Sequence, residues 1–173
     1  MVVTDEMDAG PIVATEPLEI RPDDTAVTLE ERAAGAAADL LRRALPEWLA
    51  GRLTPRAQPS EGVTVTRPLR RDDGRLDPTL PAAQLERQVR AYQPWPGSFV
   101  ETPSGRLIVC SARAVPGAAA EEPGRLVRDR DGLVFTTHSG RLLLDQIQLA
   151  GKRRMSGPEF LRGYPALAET VTR

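Results

Sequence analysis

The chain has 173 residues, enough for one ordinary domain or a small domain with an appendage, and its 40% hydrophobic against 4% aromatic content leaves a core built of Leu, Val, Ile and Ala. Its single cysteine excludes an intrachain disulfide framework, and no apolar run approaches the roughly 20 residues of a membrane helix. No secretory pattern opens the sequence, so a soluble cytoplasmic protein is expected. The net charge of -1 hides an asymmetry: residues 1–59 hold 6 Arg against 11 acids, and residues 60–173 hold 17 Lys plus Arg against 13 acids, about -5 and +4. A basic second half suits a polyanionic partner.

In chain order, residues 1–20 read as an extended segment with a bend at Ala9, Gly10 and Pro11, and RPDDT breaks it. Thr28 and Glu31 have the spacing of a capping box and predict a helix start there. The helix carries an apolar stripe through Leu29, Ala33, Ala36, Ala37, Leu40, Leu41, Ala44, Leu45, Trp48 and Leu49, with Pro46 expected to kink or end it. So broad a stripe needs a cover. Residues 51–62 have the composition of a linker.

From Val63 the pattern changes to short strands with turn signals: VTVTRPL, a helix at about 81 to 93, then SFVET, RLIVCSARAV, GRLVRD, GLVFTT and RLLLDQIQLAG. TPSG, DRDG and HSG hold residues that make tight hairpins. PGAAAEEPG reads as a loop between strands. Five or six short strands with one inserted helix suggest a small closed or partly closed barrel.

Three segments carry a family likeness. In QLERQVRAYQPWPG, residues 84–97, Leu85, Val89 and Tyr92 share a helical face before Pro94 and Pro96 end the helix. QIQLAGKRRMSGPEFLRG, residues 146–163, joins a strand, a basic turn and a final helix; TDEMDAGPIV, residues 4–13, holds a D-x-G-P-[IV] pattern. In this order they resemble methionyl-tRNA formyltransferase, respectively the P-W-P-G corner of its C-terminal domain, its closing G-K-[KR]-x-M turn and helix, and the end of its catalytic lobe. The chain departs from the family pattern at Leu76, Asp77 and Pro78, where the family carries I-D-W, and within VTVTRPL, where a family tyrosine is replaced.

The resemblance implies an α+β chain: a small OB-like Greek-key β-barrel over 63–173, a linker over 51–62, and over 1–50 a strand and long helix left from an α/β formyltransferase lobe. It implies formyl transfer from 10-formyltetrahydrofolate to the amino group of methionyl initiator tRNA, with Asp8 as the active-site aspartate and the lobe supplied in cis or as a separate chain. The family's active-site Asn and His fall upstream of any residue here, so this chain alone is expected to be inactive and to bind no folate donor. Related barrels occur in sugar-nucleotide N-formyltransferases, and a non-catalytic tRNA-binding module is the other alternative.

On the residues alone, Asp8 is a turn residue beside glycine, and His138 in THSG is a solvated turn residue. Cys110 reads as a small buried hydrophobe. No His or Cys cluster offers a metal site. Lys152, Arg153 and Arg154 form a cationic cluster at a strand-to-helix turn, the arrangement phosphate binding needs, and the resemblance implies tRNA as its partner. Arg70 and Arg71, with Arg67, form a second patch that Asp72 and Asp73 are expected to weaken. Trp95, clamped between two prolines beside a helix, is expected in the core.

Overall fold

The computed structural model describes residues 1–117 and 122–172, so part of the PGAAAEEPG loop, residues 118–121, lies outside the described residues. The chain divides into two compact units, Met1–Pro68 and Leu69–Arg173.

The first unit is built on α1, Ala26–Leu49. Its N-cap is Thr25, not Thr28: the Thr25 side chain accepts from the Thr28 N–H at 3.2 Å, and Thr28 Oγ1 accepts from the Thr25 N–H at 2.9 Å. The expected Thr28–Glu31 box therefore lies one turn inside the helix. The reason is Asp24, which is buried and accepts from the Arg21 N–H at 2.7 Å, from Thr28 Oγ1 at 3.1 Å and from Arg32. Those bonds fix the chain entry one turn earlier. Pro46 does not end α1 either; the helix runs on through Glu47, Trp48 and Leu49, and the Pro46 carbonyl accepts from the Ala50 N–H at 3.1 Å. Proline forfeits one donor and crowds the preceding turn, but it leaves its own carbonyl free to serve the next.

No residue of α1 is fully buried, and Leu41 and Leu49 are 60% and 76% exposed. Between the helix and the N-terminal segment lies an apolar groove of about 480 Å³ lined by Met1, Val2, Val13, Leu40, Leu41 and Trp48. Arg56 pairs with Ile12 through N–H to carbonyl bonds of 2.8 and 2.9 Å, an isolated bridge that stitches the linker-like segment to the N-terminal one, where the expected strand is reduced to this single pairing. The strand expected over VTVTRPL does not form, and Val65 is 94% exposed. Alternating Val and Thr suit a pleated surface only where a neighbouring strand supplies ladder bonds and packing.

The second unit holds one antiparallel sheet of β1 (Ser98–Thr102), β2 (Gly105–Val115), β3 (Arg125–Asp129), β4 (Gly132–Thr136), β5 (Arg141–Leu149), β6 (Met155–Ser156) and β7 (Thr170–Val171). The order is β1-β2-β5-β4-β3-β7, with β6 on β5. Consecutive strands β3, β4 and β5 form a meander and β2 returns beside β5, which is the Greek-key order. The ladder path is open from β1 to β7, a curled half-barrel rather than a closed one. The two-residue strands β6 and β7 are too short to show a period in sequence.

Helix α2, Ala82–Ala91, covers one side of the curl with Ala82, Leu85 and Val89 buried against Leu107, Val109, Leu142 and Ile147. Pro81 at its N-cap offers no side-chain cap; the Ser139 carbonyl accepts from the Ala82 N–H at 2.8 Å instead. Helix α3, Gly157–Gly163, packs Phe160 and Leu161 on β4, which explains why every residue of β4 is buried although it lacks polar alternation.

Candidate nucleic-acid interface

The basic turn follows β5. Gly151 has φ +75°, a left-handed conformation suited to glycine, with nothing within 4 Å of where a Cβ would sit. The turn is tied by Lys152 N–H to the Leu149 carbonyl at 2.9 Å and by Gln148 Nε2 to the Lys152 carbonyl at 2.8 Å. Lys152, Arg153 and Arg154 are all exposed, while the next residue, Met155, is buried and anchors the turn. A depression of about 430 Å³ lies between this turn and α3, lined by Lys152, Arg153, Met155, Glu159, Gly163 and Tyr164.

Its one acid is committed locally. Glu159 accepts from the Ser156 N–H at 2.8 Å and Ser156 Oγ at 2.9 Å, closing the capping box of α3, and lies 3.4 Å from Arg153. The Ser156 bonds first, and Arg153 second, hold its carboxyl below the usual value. Arg154 lies near Cys110, whose thiol is half-buried; burial pushes that thiol up, against the opposing influence of Arg154. Cys110 is thus no activated nucleophile. It occupies a bulge: Val109 pairs with Ile147 and Ser111 with Gln146, leaving Cys110 without an opposite residue.

Arg70 and Arg71 sit at a 3₁₀ turn, Arg71–Gly74, ahead of α2. Asp73 turns inward to accept from the Arg70 N–H at 2.6 Å, so it serves the backbone of this turn. Arg71 lies over the Trp95 ring, its guanidinium carbon 5.5 Å from the ring centre. Here the structure corrects the sequence reading: Trp95 is 52% exposed and lies outside the core. The inward positions of α2 are already filled by Ala82, Leu85 and Val89. The corner after the helix, with cis Gln93–Pro94 and Trp95–Pro96 bonds and the Gly97 N–H donating to the Tyr92 carbonyl at 2.8 Å, presents the indole to solvent. No periodic signal reports on a residue beyond a helix end, which is why the pairing with Arg71 was not legible.

Asp8 lies in the first unit, exposed, at φ +55°. Its carbonyl accepts from Gln58 Nε2 at 2.7 Å, and the same amide donates to the Gly10 carbonyl at 2.8 Å. It borders a depression of about 800 Å³ lined by residues 6–9 and 58–66. The sequence contains no asparagine, and its one histidine, His138, is exposed in the β4–β5 turn of the second unit with its N–H donating to the Pro78 carbonyl at 2.8 Å. Among the described residues no group of three His, Cys, Asp or Glu could hold a metal ion, and no helix is long and apolar enough to cross a membrane.

Residues 68–165 match the family model described as Formyl transferase, C-terminal domain. Methionyl-tRNA formyltransferase of Myxococcus xanthus is 39% identical over 165 residues, 95% of this chain and 52% of that protein. The enzyme of the same name from Halorhodospira halophila is 38% identical over 94% of this chain and 53% of its own length. The chain therefore spans about half the length of the curated relatives it matches. Among solved structures, a variant of HypX from Aquifex aeolicus matches with a TM-score of 0.67 at 15% identity, over 96% of this chain and 31% of that one. HypX in complex with tetrahydrofolic acid gives 0.64 at 15% identity, over 91% and 28%. Those two likenesses speak for the fold, whereas the sequence matches carry the kinship: the chain belongs to the formyltransferase family and carries its C-terminal domain.

Proposed function

We propose that this chain is the C-terminal portion of a methionyl-tRNA formyltransferase and that its part in the reaction is to dock initiator tRNA in the cytoplasm. The observation that carries this reading is the exposed run Lys152, Arg153 and Arg154 at an anchored turn, in a chain 39% identical to a protein of that name. Three adjacent cations on a fixed turn bind phosphates chiefly by releasing counterions, without reading bases. Arg70 and Arg71 supply a second basic contact. Residues 1–50 are the end of the catalytic lobe, 51–62 its linker, and 63–173 the tRNA-docking domain.

In the whole enzyme the methionyl amine attacks the formyl carbon of 10-formyltetrahydrofolate, the bond from that carbon to N10 breaks, and a base removes the amine proton. Asp8 is the one group of that machinery assigned to this chain. The one amide beside Asp8, that of Gln58, is spent on the Asp8 and Gly10 carbonyls, and the family's asparagine and histidine have no counterpart here, so the chain alone transfers no formyl group and holds no folate donor. It works with a catalytic lobe, in cis or as a separate chain.

The test is filter binding of initiator tRNA across a salt series, beside a formylation assay with methionyl-tRNA and 10-formyltetrahydrofolate. Replacing Lys152, Arg153 and Arg154 by Ala should lower the log-log salt slope by about two to three units. An unchanged slope would remove the turn from the contact surface. Turnover above background, abolished by Asp8→Ala, would overturn the inactive reading.

A further inference from the structure

Among the two Trp, two Tyr and three Phe of this chain, only Trp95 is exposed. Phe99, Phe135 and Phe160 are buried, and the remaining rings are partly covered. With so few aromatics available for a core, an indole left half in water keeps surface accessible to a partner besides Arg71. Exposed tryptophan serves flat, polarisable partners well, because its face attracts both cations and other ring systems.

The ring is held on a rigid corner. The preceding helix is buried along Leu85 and Val89, Gln93 Nε2 donates to the Val109 carbonyl at 3.2 Å, and Gly97 closes back on Tyr92. Arg71 approaches from the 3₁₀ turn, which is tied to α2 by Gln88 Nε2 donating to the Arg75 carbonyl at 3.2 Å. Ring and guanidinium therefore come from two elements fixed against each other.

This corner and the basic turn adjoin the same sheet, at β1 and β6. Ser98 pairs with Val109, Val109 with Ile147 and Ile147 with Met155, one row across β1, β2, β5 and β6. Three strand spacings of about 4.8 Å make that row roughly 14 Å long. Trp95 lies three residues before its first member and Arg154 immediately before its last; because β1 and β6 run in opposite directions, their main chains leave the row on opposite sides. Arg154 also reaches Cys110, the neighbour of the residue that Gln93 holds. An aromatic ring with a cation beside it, and three more cations on the same sheet, is the arrangement that binds single-stranded nucleic acid through base stacking and backbone contacts.

We propose that Trp95 and Arg71 form a stacking site for one unpaired nucleotide of the RNA whose phosphates lie on the Lys152–Arg154 turn. The inference rests on the tRNA-docking reading and adds to it a contact with a base. Because stacking depends on the ring face and phosphate binding on charge, the two separate by their response to salt.

The experiment uses the full chain carrying Trp48→Phe, so that Trp95 is the only indole. Titration with an unstructured RNA octanucleotide, and separately with initiator tRNA, should quench its fluorescence. With the natural Trp48 restored, Trp95→Leu should weaken octanucleotide binding by roughly tenfold with the salt slope unchanged. Trp95→Phe should recover part of that loss, and Arg71→Gln should lower the slope by about one unit. Since the ring is outside the core, the melting temperature of the Trp95 variants should stay near that of the parent, which separates lost stacking from lost folding. Absence of quenching by either RNA would overturn the stacking site. Quenching by uridine diphosphate as tight as by the octanucleotide would overturn the choice of an RNA strand. If tRNA binds with its full salt slope while Trp95→Leu binds as the parent does, this inference fails and the docking reading stands; if tRNA fails to bind while the octanucleotide quenches, the docking reading fails and the stacking site stands.

Discussion

A Cβ built on Gly74 would lie 1.8 Å from the carbonyl oxygen of Gly97. The two glycines thus bring the 3₁₀ turn of Arg71 against the corner that carries Trp95, backbone to backbone. No side chain fits between them, and the neighbour is a main-chain atom that cannot swing aside.

Gly74→Ala should therefore force the turn off the corner and destabilise the second unit by about 1 to 3 kcal/mol, the usual cost of overpacking. Gly35 provides the contrast, since a Cβ there meets nothing within 4 Å and the residue is inside α1. Gly35→Ala should stabilise the helix by about 0.5 to 1 kcal/mol. Thermal melts of the two variants followed by circular dichroism should move in opposite directions. Equal and unchanged melting curves would contradict the close approach.

Asp24 gives α1 a pH dependence with a definite sign. Its carboxyl is held below the usual value first by the Arg21 N–H, then by hydrogen bonds from Arg32 and Thr28 and by the Arg32 charge, against the opposing effect of burial. A carboxyl lowered in the folded state contributes stability that is fully present above its unfolded pKa of about 3.9 and is lost as pH falls through the folded value. Helicity at 222 nm should accordingly fall on acidification below about pH 4. Asp24→Asn should show less helix at neutral pH and a smaller loss in acid, and Thr25→Ala should cost about 1 kcal/mol at both ends of the range. A parent and an Asp24→Asn variant with parallel pH curves would exclude this carboxylate as the cause.

Cys110 should alkylate slowly. Burial raises its thiol above the ordinary value, and Arg154 opposes that rise through its charge and a hydrogen bond. Only the thiolate reacts, so iodoacetamide should modify the chain more slowly at neutral pH than it modifies an unhindered thiol. Arg154→Ala should move the midpoint of the rate-pH profile further upward. Greater access alone would raise the rate without moving the midpoint, so the profile distinguishes contact from shielding.

Much of the fold could be read from the chain because its elements obey local rules. The helix with Leu85 and Val89 on one face, and the strand runs SFVET, RLIVCSARAV, GRLVRD, GLVFTT and RLLLDQIQLAG, carry periods or turn residues that need no partner to be recognised. The exposed turn at Lys152, Arg153 and Arg154 was equally legible, since a run of cations after a glycine has nowhere to go but solvent. What the tertiary structure decided concerns residues whose state depends on something distant in sequence. The valines of VTVTRPL alternate correctly but meet no ladder, so they stay out of the sheet. Thr25, not Thr28, caps α1 because Asp24 gathers bonds from Arg21 and Arg32. Trp95 lies outside because Ala82, Leu85 and Val89 already occupy the inner side of its helix, and because Arg71, 24 positions earlier, reaches its face. Propensity and periodicity are local properties of the chain, whereas burial and pairing are fixed by which surfaces meet.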